Sequence, residues 1–294
     1  MIAPDTASSL RFAPALGAWV REGLDAGWAA QDLVRTMCER QIGVHEARAI
    51  VEAFVSARSE GRPLPIDQIS LLQRAPSSQL REGTSMDAGD RRVRVAARVD
   101  RPIPLAVLND VLSADECAAL IELARPRLKP STLVDPMTGK DIASGLRASL
   151  GMFFRPAENE LVARIDHRLA ALTHLPLEHG EGVQILHYPQ GAGSAAHFDY
   201  LQATNEANIA SIARSGQRLS TTVCYLNDVS QGGETIFPEL GWTVSPQRGH
   251  AVYFESCDAA GELLPASVHA SQPVLHGEKW VATKWARTRP FVSA

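Results

Sequence analysis

His197-Phe198-Asp199 sets an imidazole and a carboxylate two positions apart, and a second imidazole, His269, follows well downstream. Two imidazoles and one carboxylate make up the ligand set of a non-haem Fe(II) oxygenase centre, in which three protein groups hold one face of an octahedron and leave the other positions open. A zinc hydrolase can use the same donors, but it needs a general base, and none stands out here. Residues i and i+2 of a strand project to one side, so a His-x-Asp on a β-strand aims both donors at one point while Phe198 faces away. Taken alone the pattern is weak, because it arises by chance in many chains.

The order of what surrounds it is more specific. Tyr188 precedes the pair, and Gln217-Arg218-Leu219-Ser220-Thr221 leads into the apolar run Thr222-Val223-Cys224-Tyr225-Leu226. Gly232-Gly233-Glu234-Thr235-Ile236-Phe237-Pro238 comes next, then His269-Ala270-Ser271-Gln272-Pro273-Val274, with Lys279 ten positions beyond His269. A lysine in the strand-like Lys279-Trp280-Val281-Ala282 is costly inside a barrel unless it meets a fixed anion. In this order the chain resembles the prolyl 4-hydroxylase family of 2-oxoglutarate- and Fe(II)-dependent dioxygenases, over roughly residues 100 to 290.

The resemblance implies His197, Asp199 and His269 as iron ligands, and Lys279 as the group that pairs with the distal carboxylate of 2-oxoglutarate. Tyr188 and Thr221 match residues that share this carboxylate by hydrogen bonds; Thr222 competes with Thr221, since a one-residue shift changes the facing side. Trp285 and Arg147 match positions near the substrate. Ser194 stands where many members carry a substrate-contacting tyrosine. The implied reaction consumes O2 and 2-oxoglutarate, releases succinate and CO2, and hydroxylates a proline of a peptide or protein, with ascorbate as an optional reductant. The loss of tyrosine at Ser194 keeps open the same chemistry on a free amino acid or small natural product. A reading of another class, a non-catalytic module that merely holds metal, leaves Lys279 and Tyr188 without a purpose.

The rest of the chain should position these groups. Eight short strands are expected, from Val183–Tyr188 through Trp280–Ala286, with turn residues between them, as a jelly roll requires. Helices are expected from the capping box at Ser113-Ala114-Asp115-Glu116 to about Arg125 and from Asn159 to Leu172. The fold class is therefore α+β, and the resemblance implies a double-stranded β-helix with supporting helices. The polar stretch 201–216 is read as a loop at the barrel mouth. Upstream, Leu16, Trp19, Val20 and Leu24, then Leu33 and Met37, then Ala47, Ile50, Val51 and Phe54 recur at helical spacing. They define a small N-terminal all-α module over 1–74, a partner-binding or dimerising element, followed by a linker over 75–91 and the oxygenase domain over 92–294.

Composition sets the outer bounds. The 294 residues carry 29 Lys+Arg and 33 Asp+Glu, a net charge of -4, so there is no basic field for nucleic acid. Residues 1–14 contain no basic segment followed by an apolar core, and no window resembles a membrane span. Cys38, Cys117, Cys224 and Cys257 are scattered and are expected to be reduced thiols. A cytoplasmic protein without membrane or nucleic-acid partners is the expectation; the oligomeric state is left open.

Overall fold

A computed structural model of the chain describes residues 8–59, 61–71, 78–130, 133–134, 141–142, 149–258 and 261–293. The chain divides into two compact units, Met1–Arg74 and Ala75–Ala294.

In the first unit, helices Pro14–Asp25, Ala30–Glu39 and Val44–Ser59 pack Val20, Leu33, Met37, Ile50, Val51 and Phe54 into one core. Pro14 opens the first helix, where an absent N–H leaves no bond unmade. The unit is not all-α. Ser8–Arg11 pairs antiparallel with Gln68–Leu71, and Ile69 joins the helical core. Four-residue strands whose partners lie at opposite ends of the unit are too short for their alternation to register in the sequence.

The second unit is built on a nine-stranded antiparallel sheet. Its strands run in the spatial order Ser85–Asp87, Arg92–Val99, Leu105–Asn109, Ala251–Glu255, Arg218–Tyr225, Lys279–Arg287, Val183–Tyr188, Leu150–Phe154 and Lys129–Pro130. A smaller sheet, in the order Ser194–His197, His269–Ser271, Thr235–Phe237 and Trp242–Val244, faces it. Phe237 and Val244 of the small sheet meet Leu186, Tyr225, Phe254 and Val281 of the large one in a shared core, the interior of the jelly roll. The large sheet's other face is covered by helices Ala114–Ala124 and Glu160–Ala171, which bury Leu120, Ile165 and Leu169 against Trp280 and Tyr253.

Both helices start as the sequence indicates. The Ser113 hydroxyl accepts from Glu116 N–H at 3.1 Å, the Glu116 carboxylate accepts from Ser113 N–H at 2.8 Å, and Asn159 caps the second helix. Two expectations need correction. Residues 85–87, inside the expected linker, form the edge strand of the large sheet, with Met86 buried; a three-residue strand leaves no periodic trace. The stretch 201–216 is not a loop, for it contains the helix Glu206–Ser215, capped by Asn205 and tied down where Arg287 donates to Ser211 Oγ and the Gly216 carbonyl. Its apolar positions are too few to signal a helix, and the cap carries the only cue.

Arg168 ties the helical layer together. Its guanidinium, 2% exposed, donates to both Glu116 oxygens at 2.7 Å, to both Asp90 oxygens at 2.9 and 2.6 Å, and to the Val111 carbonyl. Burial alone would raise the Glu116 carboxyl, but Arg168 and the Ser113 N–H outweigh it and hold it at about 2. Because the folded value lies below the unfolded one, this contribution is present above the ordinary carboxylate range and is lost as pH falls toward 2. Arg168→Ala strands the buried Glu116 carboxylate and frees the exposed Asp90 one, and thermal melts should show a loss of about 3–5 kcal/mol.

Candidate active site

His197 ends one strand of the small sheet and His269 begins its neighbour, paired with it across the ladder. Asp199 is not on a strand. The strand stops at His197, and Asp199 lies in the bend that follows, so simple alternation does not aim the two side chains. Other contacts do so. Asp199 Oδ2 accepts the Thr221 hydroxyl at 2.7 Å, and Arg218 donates to the Asp199 carbonyl at 3.4 Å. His197 Nδ1 bonds the Ala195 carbonyl at 2.9 Å and His269 Nδ1 the Ser267 carbonyl at 3.0 Å. Carbonyls only accept, so each Nδ1 carries the proton and each Nε2 offers a lone pair. The Nε2 atoms stand 3.9 Å (His197) and 3.7 Å (His269) from the Asp199 oxygens. The donor atoms of all three residues lie within 4.8 Å of one another, the spacing needed to hold one ion. Burial would raise the Asp199 carboxyl; the His269 and His197 imidazoles in their protonated, metal-free state, Arg218 and the Thr221 bond overcome it and keep the group ionised, at about 2.

Lys279 lines the same cleft and is 2% exposed. Its ammonium donates to the Gly233 carbonyl at 2.6 Å and to Ser271 Oγ at 2.8 Å, and lies 5.4 Å from the Tyr188 ring and 5.7 Å from the Tyr225 ring. Gly232 and Gly233, at φ +76 and +73, make the left-handed turn that presents this carbonyl; a Cβ on Gly233 would sit 3.3 Å from the Lys279 side chain. No carboxylate among the described residues forms an ion pair with Lys279. Burial, only partly opposed by Glu234, lowers its pKa to about 7. Ser271 and His269 are i and i+2 on one strand, so the ammonium and the metal cluster are about one such step apart, roughly 7 Å. A buried cation without a counter-ion at that distance from a metal cluster fits a short dicarboxylate that bridges the two, and 2-oxoglutarate is one.

Most of the expected residues converge. His197, Asp199, His269, Lys279, Tyr188, Ser194 and Trp285 all line one cleft. Tyr188 is the cross-strand partner of Lys279. Thr221 pairs with Trp285 and Phe254 and faces the interior, whereas Thr222 pairs with Lys284 and Tyr253 on the opposite face. The Thr221 hydroxyl donates to Asp199 and Thr221 is not among the cleft-lining residues, so the bond it makes is one that orients the Asp199 carboxylate. Thr221→Val is therefore expected to weaken Fe(II) binding about 10–100-fold, as loss of an outer partner of a ligand commonly does, with little change in 2-oxoglutarate affinity at saturating metal. Arg147 lies outside the described residues.

Further residues belong to the site. Ser271 shares Lys279, and Gln184 and Thr283 line the cleft. Both were accessible by strand alternation, Gln184 from Tyr188 and Thr283 from Lys279. The Arg218 guanidinium lies 3.8 Å from the Trp285 ring centroid and bonds Glu181, which also takes Arg287, so one buried network holds Trp285 and the Asp199 backbone together. His187 points out of the cleft, stacked on Trp280 and bonded to Glu278.

Comparison with known proteins shows the family. A sequence model of the 2OG-Fe(II) oxygenase superfamily matches residues 183–287. Probable prolyl 4-hydroxylase 10 of Arabidopsis thaliana is 37% identical over 63% of this chain and 69% of its own length, and probable prolyl 4-hydroxylase 3 of the same plant is 36% identical over 75% and 80%. Among solved structures, the viral collagen prolyl hydroxylase of Paramecium Bursaria Chlorella virus-1 is 26% identical, with a TM-score of 0.49, over 62% of this chain and 94% of that one. The chain belongs to the prolyl 4-hydroxylase-like family of 2-oxoglutarate- and Fe(II)-dependent dioxygenases.

Proposed function

We propose that the protein hydroxylates a proline residue within a peptide or protein. The observation that carries this choice is the charge of the cleft: among its described lining residues the one cation is Lys279. With Lys279 given to the co-substrate, the carboxylate of a free amino acid finds no partner, and burying it unpaired is costly. The carboxyl of a peptidyl proline is an amide and needs no cation. The names of the relatives support the same reading, since they are prolyl 4-hydroxylases. Hydroxylation of a free amino acid has one feature in its favour, the small Ser194 at the cleft wall, which leaves space without supplying charge.

Bound Fe(II) and 2-oxoglutarate supply the oxidising chemistry, in which 2-oxoglutarate and O2 become succinate and CO2 with one oxygen atom entering a substrate C–H bond. The chain's own groups do the rest. His197, Asp199 and His269 present three donors on one side and leave the cleft side open. Lys279 and Tyr188 fix the far end of the co-substrate. Trp285, clamped by Arg218, forms an apolar wall beside the metal cluster that limits water. Ascorbate, as reductant of stray ferric iron, completes the proposed assay mixture. A cytoplasmic setting is proposed as well, supported by four free cysteines, three of them buried. None of the described helices is long and apolar enough to cross a membrane.

The test is to supply Fe(II), 2-oxoglutarate, ascorbate and air with either proline-containing peptides or free L-proline, and to follow succinate and a 16-Da product increment (one oxygen atom) by mass spectrometry. Substrate-dependent succinate and hydroxyproline from peptides are expected. The increment with free proline alone would transfer the assignment to the small-molecule reading.

A further inference from the structure

On the large-sheet wall of the cleft three polar side chains are left without partners among the described residues. Gln184 and Thr283 are cross-strand neighbours, and neither side chain bonds any described residue. Trp285 follows Thr283 by two on the same face; its ring is 7% exposed, and its Nε1–H is buried with no acceptor. Phe153, across from Gln184 on the other side and 52% exposed, completes the row, its ring centroid 6.4 Å from that of Trp285. The wall is thus a neutral amide and a hydroxyl flanked by two aromatic rings.

A buried donor without an acceptor is unfavourable unless a ligand supplies one. The co-substrate is not well placed to meet Gln184, whose half-buried amide lines the cleft. That ligand would run between Lys279 and the metal-donor cluster, whereas Gln184 lies four residues along its strand from Tyr188, the cross-strand partner of Lys279, about 13 Å away. A primary amide both donates and accepts, which complements a peptide group rather than a carboxylate.

We propose that Gln184 is a specificity-determining residue that recognises the main-chain amide beside the target proline, pairing with it between the Phe153 and Trp285 rings while Trp285 Nε1 and Thr283 Oγ1 take the adjoining carbonyl. The proposal rests on the peptidyl-proline reading above. It makes the wall a reader of backbone, not of side chains, so sequence preference around the proline should be loose and chain linkage obligatory.

The experiment uses the full chain and two synthetic proline peptides, one with the ordinary amide after the proline and one with an ester in its place. Wild-type protein should prefer the amide peptide roughly tenfold in kcat/KM, about the worth of one neutral hydrogen bond. Gln184→Leu should raise the KM of the amide peptide by a similar factor and abolish the preference over the ester, while the KM for 2-oxoglutarate stays where it is. A thermal melt matching that of the wild type shows that the variant is folded. A rise in the 2-oxoglutarate KM with the peptide KM intact would overturn the proposal and assign Gln184 to the co-substrate. An amide preference that survives in Gln184→Leu would overturn it equally. If wild-type protein itself made no hydroxyproline from any peptide, the underlying functional reading would fall, and the proposal with it.

Discussion

Asp199→Ala is expected to abolish succinate formation while the protein remains folded. The carboxylate is 94% buried and is the only anionic donor in the cluster, with each of its oxygens facing one imidazole. Without it, two neutral nitrogens hold a divalent cation with no compensating charge. Loss of an outer partner typically reduces metal affinity or activity about 10–100-fold, so removal of the donor itself should exceed that range. Asp199→Asn separates charge from shape: it preserves the acceptor for Thr221 but not the negative charge, and should fall close to Ala. The measurement is anaerobic titration with Fe(II) and 2-oxoglutarate, which gives wild-type protein a weak visible charge-transfer band, followed by succinate analysis under air. Turnover persisting in Asp199→Ala would reject the ligand assignment.

The success of His-x-Asp as a signal did not come from the reason the sequence offers for it. Strand alternation explains a pair that shares a strand, yet the strand ends at His197 and Asp199 is aimed by Thr221 and Arg218. These partners sit about twenty residues on, and a short motif cannot reveal them. Thr221 shows the converse. The motif puts Thr221 first but leaves Thr222 open; only the strand pairing turns Thr221 inward, and only its bond to Asp199 decides whether it serves metal or co-substrate. Lys279 was legible because a charge in an apolar strand demands a counter-ion wherever that strand lies. The jelly-roll strands were legible through their turns and alternation. The two-stranded sheet of the first unit and the helix Glu206–Ser215 were not, since one depends on a pairing across the whole unit and the other on contacts from Arg287 and Arg289. Arg168 belongs to the same group: helical period places it beside the buried stripe, but only the tertiary approach of Asp90 and Glu116 turns a surface-type residue into a buried one.

Lys279→Met should raise the KM for 2-oxoglutarate on the order of a hundredfold or more, because removing one partner of a buried, hydrogen-bonded charge pair costs about 2–5 kcal/mol. Metal binding should survive, as the triad is untouched. The accompanying pH dependence is more diagnostic. Burial lowers the free lysine to about 7, so at pH 8 much of the unliganded protein carries a neutral amine. The co-substrate's carboxylate favours the ammonium, which means the bound form has the higher pKa and binding must take up a proton. Affinity for 2-oxoglutarate should therefore decline as pH rises above about 7. Calorimetry at pH 8 in two buffers of different ionisation enthalpy should show net proton uptake, absent at pH 6 and absent in Lys279→Met. Stability of the unliganded protein carries the opposite sign. Between about 7 and the ordinary lysine value of 10.5 the unfolded chain binds more protons, so the Lys279 contribution to stability rises with pH across that window. A co-substrate affinity that is flat from pH 6 to 9 would show that Lys279 is not the group that receives the carboxylate.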